Sequence, residues 1–371
     1  MTAERRGHSR PVLTVAIAGA GLLGRLLAWH LSRAGHRVDV FDPAPDAQAR
    51  HDGRGAAAFT AAGMLSPLAE SEHGGPVVRR LGERSLPRWR RIAAALSSEP
   101  ETLVRQRGSL LLAHAPDGAQ AQRLLAALGT EAPASLSRVE LEALEPGAGP
   151  AFAPGLRAWL LAREGQVQPA SLLQALHQQA HDACWHWGRR VAEVEPGRLR
   201  LDDGTVHDAD LTIDVRGLGA RPPLPLRGVR GELLWLHAPG LKLTRPCRLL
   251  HPRHPVYLVP RPNDIVVLGA SEVESEDRSP VSLRSAVELM AAAHSALPAL
   301  AEARIVHLET NLRPTLPDNQ PRTEHAPGLL RINGLYRHGW LIAPALVDDA
   351  LAHLGLLASE SPEEPEENTD D

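Results

Sequence analysis

The alternation of apolar and polar positions predicts a βαβ unit at the start of the chain. An apolar, β-rich run covers 14–18, helical apolar spacing follows over 22–34 and ends at Gly35, and a second strand-like run covers 37–42. A strand, a helix and a second strand within about thirty residues are typical of a parallel, doubly wound sheet. The chain therefore begins as an α/β protein.

The same patterns predict helices and strands along the rest of the chain. Helical spacing covers 81–96, 118–128, 169–183 and 283–297. Strands are predicted over 109–113, 189–194, 211–215, 232–237, 256–260, 265–269 and 304–309, with a hairpin over 199–207. A Gly- and Pro-rich stretch over 146–154 marks a crossing between domains. Strands and helices alternate at both ends, and the middle of the chain predicts an antiparallel sheet.

A glycine motif stands between the first strand and the first helix. Gly19-Ala20-Gly21-Leu22-Leu23-Gly24 has the spacing G-x-G-x-x-G. The first glycine permits a tight turn, the second lets a pyrophosphate approach the backbone, and the third lets the helix pack closely on the strand. Asp42, at the end of the second strand, is placed to accept hydrogen bonds from ribose hydroxyls. These features predict a dinucleotide site.

The composition narrows the classes of protein that fit. The chain has 371 residues with 43% hydrophobic residues, so it can bury a substantial core and form two or three domains. Cys184 and Cys247, the two cysteines, exclude a disulfide framework and a cysteine-rich metal cluster, and they fit a reducing compartment. Lys242 is the single lysine, which argues against a Schiff-base cofactor.

The net charge of −4 is concentrated in the C-terminal tail. Seven acidic residues lie in 360–371, and the rest of the chain carries +3, which argues against nucleic acid as a main partner. We expect 1–11 and 358–371 to be disordered tails. The apolar run after Arg10 is interrupted by Arg25 and has no cleavage site after it, so we expect a cytoplasmic protein without a signal peptide or membrane span.

The position of the glycine motif favours FAD over NAD. The motif begins near the N-terminus, and no second G-x-G-x-x-G follows it. A flavoenzyme that takes electrons from its substrate needs one dinucleotide site, so one motif followed by a large β-rich region favours FAD. An NAD-dependent dehydrogenase remains an alternative.

Several further stretches carry a resemblance to a known family: Ala61-Ala62-Gly63-Met64-Leu65 with Glu70, Asp214 to Ala220, Val256 to Arg261, Leu312 to Asp318, and Leu335 to Leu341 followed by Ala343-Pro344. With the glycine motif, they make the chain similar, over about 12–355, to the glycine oxidases of the D-amino-acid oxidase family of FAD-dependent oxidoreductases. This branch of the family is associated with making the thiazole of thiamine.

The resemblance implies a fold and a domain division. It implies a Rossmann-like α/β FAD-binding domain and a second, α+β substrate domain built on an antiparallel sheet. We expect the FAD-binding domain to comprise 12–85, 150–228 and 306–357, and the substrate domain to comprise 86–149 and 229–305. The precedent of the family makes a homo-oligomer an expectation as well.

The resemblance also implies which residues hold noncovalently bound FAD. They are Gly19, Gly21, Leu22, Leu23, Gly24, Asp42, Ala62, Gly63, Met64, Val191, Leu335, Tyr336, Arg337, His338, Gly339, Trp340 and Leu341. Ala57 and Ala58 stand where the family has hydroxyl residues, and His338 where its best-known members have an amide. No cysteine follows Cys247, so a flavin–cysteine link in the C-terminal loop is not available.

Arg313, Tyr257 and Arg337 match the substrate-binding residues of the family. A guanidinium offers a bidentate fork to an amino-acid carboxylate and so fixes the direction of the Cα–H bond. We expect Arg313 and Tyr257 to bind the carboxylate, with Arg337 nearby and no obligatory catalytic acid or base. The spacing of His177, His181 and Cys184 could hold zinc, but an exposed polar helix face explains it better, and no metal is expected.

The resemblance implies oxidative deamination of glycine or another small amino acid, with electrons passed from flavin to O2. Three alternatives stay open: a flavin dehydrogenase with a quinone or protein acceptor, an enzyme for sarcosine or D-alanine, and a flavoprotein maturation factor that acts on a protein partner.

Overall fold

The structure is a computed structural model, and it describes residues 11–251 and 255–357. Apart from Pro11, the predicted tails lie outside the described residues. In this part of the chain, no helix is long and apolar enough to cross a bilayer.

Seven α-helices occur in the described residues. They are α1 (Leu22–Arg33), α2 (Pro67–Leu96), α3 (Gly118–Ala126), α4 (Arg138–Leu144), α5 (Pro169–Gln179), α6 (Leu283–Ala296) and α7 (Gly339–His353). The backbone of α2 leaves helical geometry at Gly75, whose φ is 64°. Gly35, with φ 85°, follows the end of α1 as the sequence predicts.

Nineteen strands are present in the same residues. They are β1 (Thr14–Ala18), β2 (Arg37–Asp42), β3 (Met64–Leu65), β4 (Val104–Arg105), β5 (Ser109–Ala113), β6 (Arg157–Leu161), β7 (Gly165–Val167), β8 (Ala183–Trp187), β9 (Val191–Glu195), β10 (Arg198–Leu201), β11 (Val206–Asp208), β12 (Leu211–Asp214), β13 (Arg227–His237), β14 (Cys247–Leu250), β15 (Val256–Arg261), β16 (Ile265–Gly269), β17 (Arg304–Thr315), β18 (Arg322–Ala326) and β19 (Leu329–Asn333).

The first large sheet has six strands in the order β18-β19-β12-β1-β2-β8. All neighbouring pairs are parallel except β18 with β19. Its apolar face packs against α1, α2, α5 and α7, where the largest hydrophobic cluster of the described residues lies. The βαβ unit at the start of the chain is confirmed, because β1 and β2 pair in parallel on either side of α1.

The second large sheet has seven strands in the order β17-β13-β16-β15-β14-β5-β6. Only β14 and β5 are parallel neighbours. Helix α6 covers one face, and the apolar residues between helix and sheet form a second core. The antiparallel sheet predicted for the middle of the chain is therefore present. Two small three-stranded sheets, β11-β10-β9 and β3-β7-β4, complete the fold.

The points at which the chain passes from one large sheet to the other differ from the predicted domain limits. Arg157–Leu161 lies within the predicted FAD-binding segment 150–228, yet it pairs with β5 in the seven-stranded sheet. Arg304–Thr315 is longer than the predicted strand 304–309 and pairs along the whole of β13. The chain thus crosses between the two sheets after β6 and after β17.

The predicted helix over 169–183 ends early, at Gln179, and its last predicted residue begins β8. This edge strand is half-exposed, and its mixed sequence Ala-Cys-Trp-His-Trp gives no clear alternation. Strands β6, β14, β18 and β19 also carried no prediction.

Candidate functional site

A cavity of about 1050 Å³ lies at the carboxyl edge of the six-stranded sheet. Residues at or just after the ends of five of its strands line it: Gly19, Asp42, Trp187, Val215 and Asn333. The carboxyl edge of a parallel sheet is where open α/β folds bind ligands. From this edge the cavity reaches residues of the seven-stranded sheet, including Tyr257 and Arg313.

A different structural requirement explains the glycine at each of the three positions of the motif. Gly19 has φ 105°, and a β-carbon there would lie 2.8 Å from the carbonyl oxygen of Val215. A β-carbon at Gly24 would lie 1.8 Å from the carbonyl oxygen of Gly19, so this glycine allows α1 to cross β1 closely. Gly21 has no such contact, since its nearest neighbour would be the Ala56 side chain at 3.6 Å. The open space over Gly21 is what a bound phosphate requires.

Asp42 connects the glycine turn with the segment that follows β2. Its two carboxylate oxygens accept hydrogen bonds from the amides of Ala20 (2.7 Å) and Ala44 (2.8 Å). The carboxylate lines the cavity, and each oxygen keeps a lone pair for a ribose hydroxyl.

Trp187, Arg190 and Val191 form the wall beside Asp42. The carbonyl of Val191 accepts a hydrogen bond from the Arg216 guanidinium at 2.8 Å. Trp187 is the register partner of Asp42 in the neighbouring strand, and its ring stacks on that of Trp185. Neither Trp187 nor Arg190 was predicted as a site residue, and no pattern in the sequence indicated strand β8, which carries Trp187.

Residues 43–63, which carry no helix or strand, cover the cavity. A structureless segment of this length within a compact fold is usually functional. Buried Arg25 holds its first half by donating to the carbonyl of Ala47 at 2.9 Å. The Trp340 indole holds its second half by donating to the carbonyl of Ala58 at 3.0 Å. Ala57 and Ala58 both line the cavity and offer only backbone polar groups to a ligand.

Glu309, buried on β17, fixes the same covering segment from the other side. Its carboxylate accepts a hydrogen bond from the Thr60 hydroxyl (2.6 Å) and lies 3.0 Å from Nδ1 of His51. The Trp235 indole donates to its second oxygen at 3.2 Å. The hydrogen bond with Glu309 raises the pKa of His51 against the opposing effect of burial. Glu309 thus ties two points of the segment to the seven-stranded sheet.

The turn before α7 forms the opposite wall. Tyr336 has φ 52°, an uncommon backbone conformation for a tyrosine, and its amide donates to the carbonyl of Pro314 at 3.0 Å. Helix α7 begins at Gly339, and Gly339, Trp340 and Leu341 line the cavity. The first amide groups of a helix favour negative charge, so this wall suits an anionic or electron-rich ligand group.

Arg313 is one of the cations that line the cavity. Its guanidinium donates to the backbone carbonyls of Ser271 (3.0 Å) and Arg230 (3.3 Å), and among the described residues no carboxylate pairs with it. Burial lowers the pKa of Arg313, but a guanidinium stays protonated in proteins. A buried cation without a counter-charge is costly, and an anionic ligand group would offset that cost.

Tyr257 stands near Arg313 and lines the same end of the cavity. Burial raises the pKa of its phenol, so the hydroxyl is protonated at neutral pH and can donate a hydrogen bond. A guanidinium and a phenol together form a donor set for a carboxylate.

Arg337, in contrast, pairs with two carboxylates. Its Nε donates to Glu70 at 2.9 Å and its Nη1 donates to Glu272 at 2.7 Å. Although burial lowers the pKa of Arg337, the two carboxylates raise it overall. Burial alone would raise the pKa of Glu70, but Arg337, His338 and Arg248 hold that pKa far below its usual range. Arg337 is thus part of a partly buried ionic network.

The structure brings most of the predicted site residues to one cavity. Those that line it are Gly19, Gly21, Leu22, Leu23, Asp42, Ala62, Gly63, Met64, Val191, Tyr257, Arg313, Leu335, Tyr336, Arg337, Gly339, Trp340 and Leu341. Gly24 and His338 do not. The side chain of His338 is buried and turned away, with Nδ1 2.7 Å from Glu70, so it supports the wall from behind.

Glu272 and Gly231 are two residues of this end that the sequence did not indicate. Glu272 binds Arg337 and forms a hydrogen bond with the Tyr336 phenol. Gly231 leaves the space that the Arg313 guanidinium occupies. No local pattern marks either residue, because both act on partners more than sixty residues away along the chain.

Among the described residues, no three His, Cys, Asp or Glu side chains are grouped so as to hold a metal ion. His177, from the spacing that could have suggested zinc, instead packs its ring against Trp185 and Trp187. Both cysteines are free thiols, and neither lines the cavity.

The fold and the cavity together define a dinucleotide-binding oxidoreductase. FAD fits the open space over Gly21, the acidic Asp42 and the length of the wall from the glycine turn to Arg313. The cavity volume is at the upper end of the range that ligand sites have. Residues 14–352 match the family model of FAD dependent oxidoreductases called DAO. The chain belongs to this family and is an FAD-dependent oxidoreductase.

Comparisons with individual proteins agree with this family. The chain is 36% identical over 347 residues to a Rhizobium etli protein named, by inference, as the thiamine biosynthesis oxidoreductase ThiO, covering 92% of this chain and 96% of that protein. It is 26% identical over 344 residues to a glycine oxidase of Bacillus licheniformis, covering 89% of each. The crystal structure of glycine oxidase from Geobacillus kaustophilus matches with a TM-score of 0.73 at 23% identity, covering 95% of this chain and 97% of that one.

Proposed function

We propose that this enzyme oxidises glycine or another small amino acid at its α-carbon, forming the imine, which water converts to a keto acid or glyoxylate and ammonia. The observation that carries the proposal is Arg313, a half-buried cation at the cavity wall without a carboxylate partner among the described residues. A substrate carboxylate would supply the missing negative charge.

The chain's own residues would act by positioning. Two Arg313 donors and the Tyr257 hydroxyl would hold the carboxylate and so fix the direction of the α-carbon. Positioning of this kind can contribute several kcal/mol to lowering a barrier. Among the described residues, no histidine side chain lines the cavity, and Glu70, the acidic side chain that lines this end, is ionised and paired with Arg337, so we propose no obligatory protein acid or base. The substrate amine must enter in its neutral form.

Gly19, Gly21 and Asp42 would hold the phosphate and ribose groups of FAD, and Ala62, Gly63 and Met64 would approach its ring system, with the start of α7 favouring negative charge nearby. Bound FAD supplies a two-electron acceptor for the hydrogen of the α-carbon and passes the electrons to oxygen, which gives H2O2. We propose noncovalent binding, because neither cysteine lines the cavity.

We further propose that the reaction serves thiamine thiazole synthesis in the cytoplasm. The similarity to the Rhizobium etli protein over 96% of its length supports the pathway, and two free cysteines fit a reducing compartment.

An anaerobic titration tests the proposal. The purified yellow protein is mixed with glycine, sarcosine or D-alanine without oxygen, the visible flavin absorbance is followed, and air is then admitted while peroxide is measured. Glycine should bleach the flavin, and oxygen should restore the colour with one equivalent of peroxide. Bleaching without peroxide would indicate a dehydrogenase with another acceptor. A flavin that no small amino acid reduces would contradict the proposal and favour a role with a protein partner.

A further inference from the structure

The two arginines at the substrate end differ in their counter-charges. Arg313 has no carboxylate partner among the described residues, whereas Arg337 donates to both Glu70 and Glu272. We propose that Glu272 restricts the site to substrates with a single carboxylate and rejects those with a second one. This inference rests on the proposed function, because it assumes that the first carboxylate binds Arg313.

Glu272 is held at the edge of the cavity by two cavity residues. It accepts a hydrogen bond from Nη1 of Arg337 at 2.7 Å, and the Tyr336 phenol forms a hydrogen bond with it. The next residue, Val273, exchanges two backbone hydrogen bonds with Arg230, which fixes the segment beside β13. The Glu272 side chain is 36% exposed, so water or a ligand can reach its carboxylate.

The charge of Glu272 acts on the same part of the cavity as the charge of Arg313. Its charge raises the pKa of Arg313, while that of Arg337 lowers it, so both charges are felt at the carboxylate site. The backbone carbonyl of Ser271, the residue before Glu272, accepts a hydrogen bond from Arg313 at 3.0 Å. A small substrate anchored on Arg313 therefore lies within a few ångströms of the segment that carries Glu272.

Beside Arg337, the charges of the described residues leave no cation for a second carboxylate. Arg278 also lines the cavity, but it lies at the carbonyl of Gly53 and the side-chain oxygen of Asn311. The first carboxylate would neutralise Arg313, and the charge of Arg337 is offset by Glu70 and Glu272. Arg248 contacts Glu70 at 3.9 Å, and Arg261 donates to the carbonyl of Ala62, but neither side chain lines the cavity. A second carboxylate beside Arg337 would lose its hydration without gaining an unpaired cation and would be repelled by Glu272.

A neighbouring acid on the same segment provides a matched control. Glu274 lies two residues further on and pairs with Arg227 at 3.0 Å, and neither residue lines the cavity. Glu274→Gln removes the same charge as Glu272→Gln from the same segment, without changing the pairing of Arg337.

Binding of two simple acids to the FAD-loaded enzyme tests the inference. Acetate and malonate are titrated into the oxidised protein, and dissociation constants are taken from the change in the flavin spectrum. We expect the native protein and Glu274→Gln to bind acetate at least tenfold more tightly than malonate, about 1.4 kcal/mol. Glu272→Gln should reduce this preference to threefold or less. Equal or tighter malonate binding by the native protein, an unchanged preference in Glu272→Gln, or no response to either acid would overturn the inference.

A second arm of the test measures steady-state turnover. Sarcosine and iminodiacetate are both secondary amines and differ by one carboxylate, so Glu272→Gln should raise kcat/KM for iminodiacetate relative to sarcosine about tenfold. The two arms separate this inference from the proposed function, since acid binding needs no oxidation. An enzyme that prefers acetate in a Glu272-dependent way but is not reduced by any amino acid refutes only the proposed function. An enzyme that oxidises glycine but shows no such preference refutes only the role of Glu272.

Discussion

Gly231 on β13 leaves the space that the guanidinium of Arg313 on β17 occupies. A β-carbon at Gly231 would lie 2.4 Å from Nη2 and 2.5 Å from Cζ of Arg313. Strands β13 and β17 are antiparallel neighbours, so the two residues meet across one ladder of the seven-stranded sheet. The position of the Arg313 guanidinium therefore depends on a missing side chain on the adjacent strand.

Gly231→Ala should displace Arg313 while the fold and FAD binding persist. We expect KM for glycine to rise at least tenfold with an unchanged flavin spectrum, as measured by steady-state kinetics and absorbance. Gly228→Ala on the same strand is the control, because its β-carbon would meet side-chain atoms of Leu312 at 3.0 Å and Leu218 at 3.3 Å, which can adjust, and would not meet Arg313. An unchanged KM in Gly231→Ala would show that the space is not needed to hold Arg313.

Gly21 and Gly24 should respond differently to alanine. Gly24→Ala places a β-carbon 1.8 Å from a backbone carbonyl, so we expect the apoprotein itself to lose several degrees of Tm. Gly21→Ala meets nothing closer than 3.6 Å, so the apoprotein should keep its Tm while FAD binds at least tenfold more weakly. Two measurements distinguish these variants: the Tm of the apoprotein, and the FAD dissociation constant, which is measured by flavin fluorescence. Normal FAD affinity in Gly21→Ala would contradict the phosphate assignment.

Glu164 should make the stability of the protein fall as the pH rises. Burial, against the opposing hydrogen bond from Ser109, raises the pKa of this carboxyl from its usual 4.5 to about 7. A carboxyl whose pKa is higher in the folded than in the unfolded state loses stability as it ionises, as the pH rises towards and through the folded pKa. Relative to Glu164→Gln, the native protein should lose ~2 kcal/mol of unfolding free energy between pH 5 and pH 8.5.

Urea unfolding of the FAD-loaded protein at the two pH values measures this difference. Glu195→Gln, at an exposed position of β9, is the control and should show no such pH dependence. A constant difference between the native protein and Glu164→Gln from pH 5 to pH 8.5 would show that Glu164 is ionised throughout.

His51 should stabilise the covering segment most at low pH. The hydrogen bond with Glu309 raises the pKa of His51 despite burial, so the protonated form is favoured in the folded state. Its stabilising effect is full below pH 6.5 and is lost as the pH rises through the raised folded-state pKa. The unfolding free energy of His51→Gln should therefore fall furthest below that of the native protein at pH 6, and the gap should narrow by pH 9. Exposed His181→Gln is the control, and a gap that widens with pH would refute the assignment.

The sequence predicted the parts of the fold in which local pattern and tertiary role agree. The βαβ unit, β5 and β16 are examples, because each is a buried strand or an amphipathic helix bounded by glycine or turn residues. The predictions failed at β8, a half-exposed edge strand, and at the first part of α2, where Gly74, Gly75 and Pro76 indicate a break although the chain resumes its helix. Such segments owe their structure to their neighbours.

The residues of the site also divide into those that the sequence could indicate and those that it could not. Arg313, Tyr257 and the turn at Tyr336 could be found, because each lies in a stretch that resembles the family. Glu272 could not be found, since its role comes from contact with Arg337, 65 residues away. His338 was expected at the cofactor, but its backbone position does not determine where the imidazole points, and its side chain contacts half-buried Glu70 without lining the cavity.

Reduction of the Arg313→Ala variant by glycine tests whether Arg313 binds the substrate carboxylate. The variant and the native protein are mixed anaerobically with increasing glycine, and the rate of flavin bleaching is followed by stopped flow. Exposed Arg322→Ala on β18 serves as the control. We predict that Arg313→Ala stays yellow and folded but needs at least a hundredfold more glycine to reach half its maximal bleaching rate, whereas Arg322→Ala behaves as the native protein does. Half-saturation of Arg313→Ala at the same glycine concentration as the native protein would show that Arg313 does not bind the substrate.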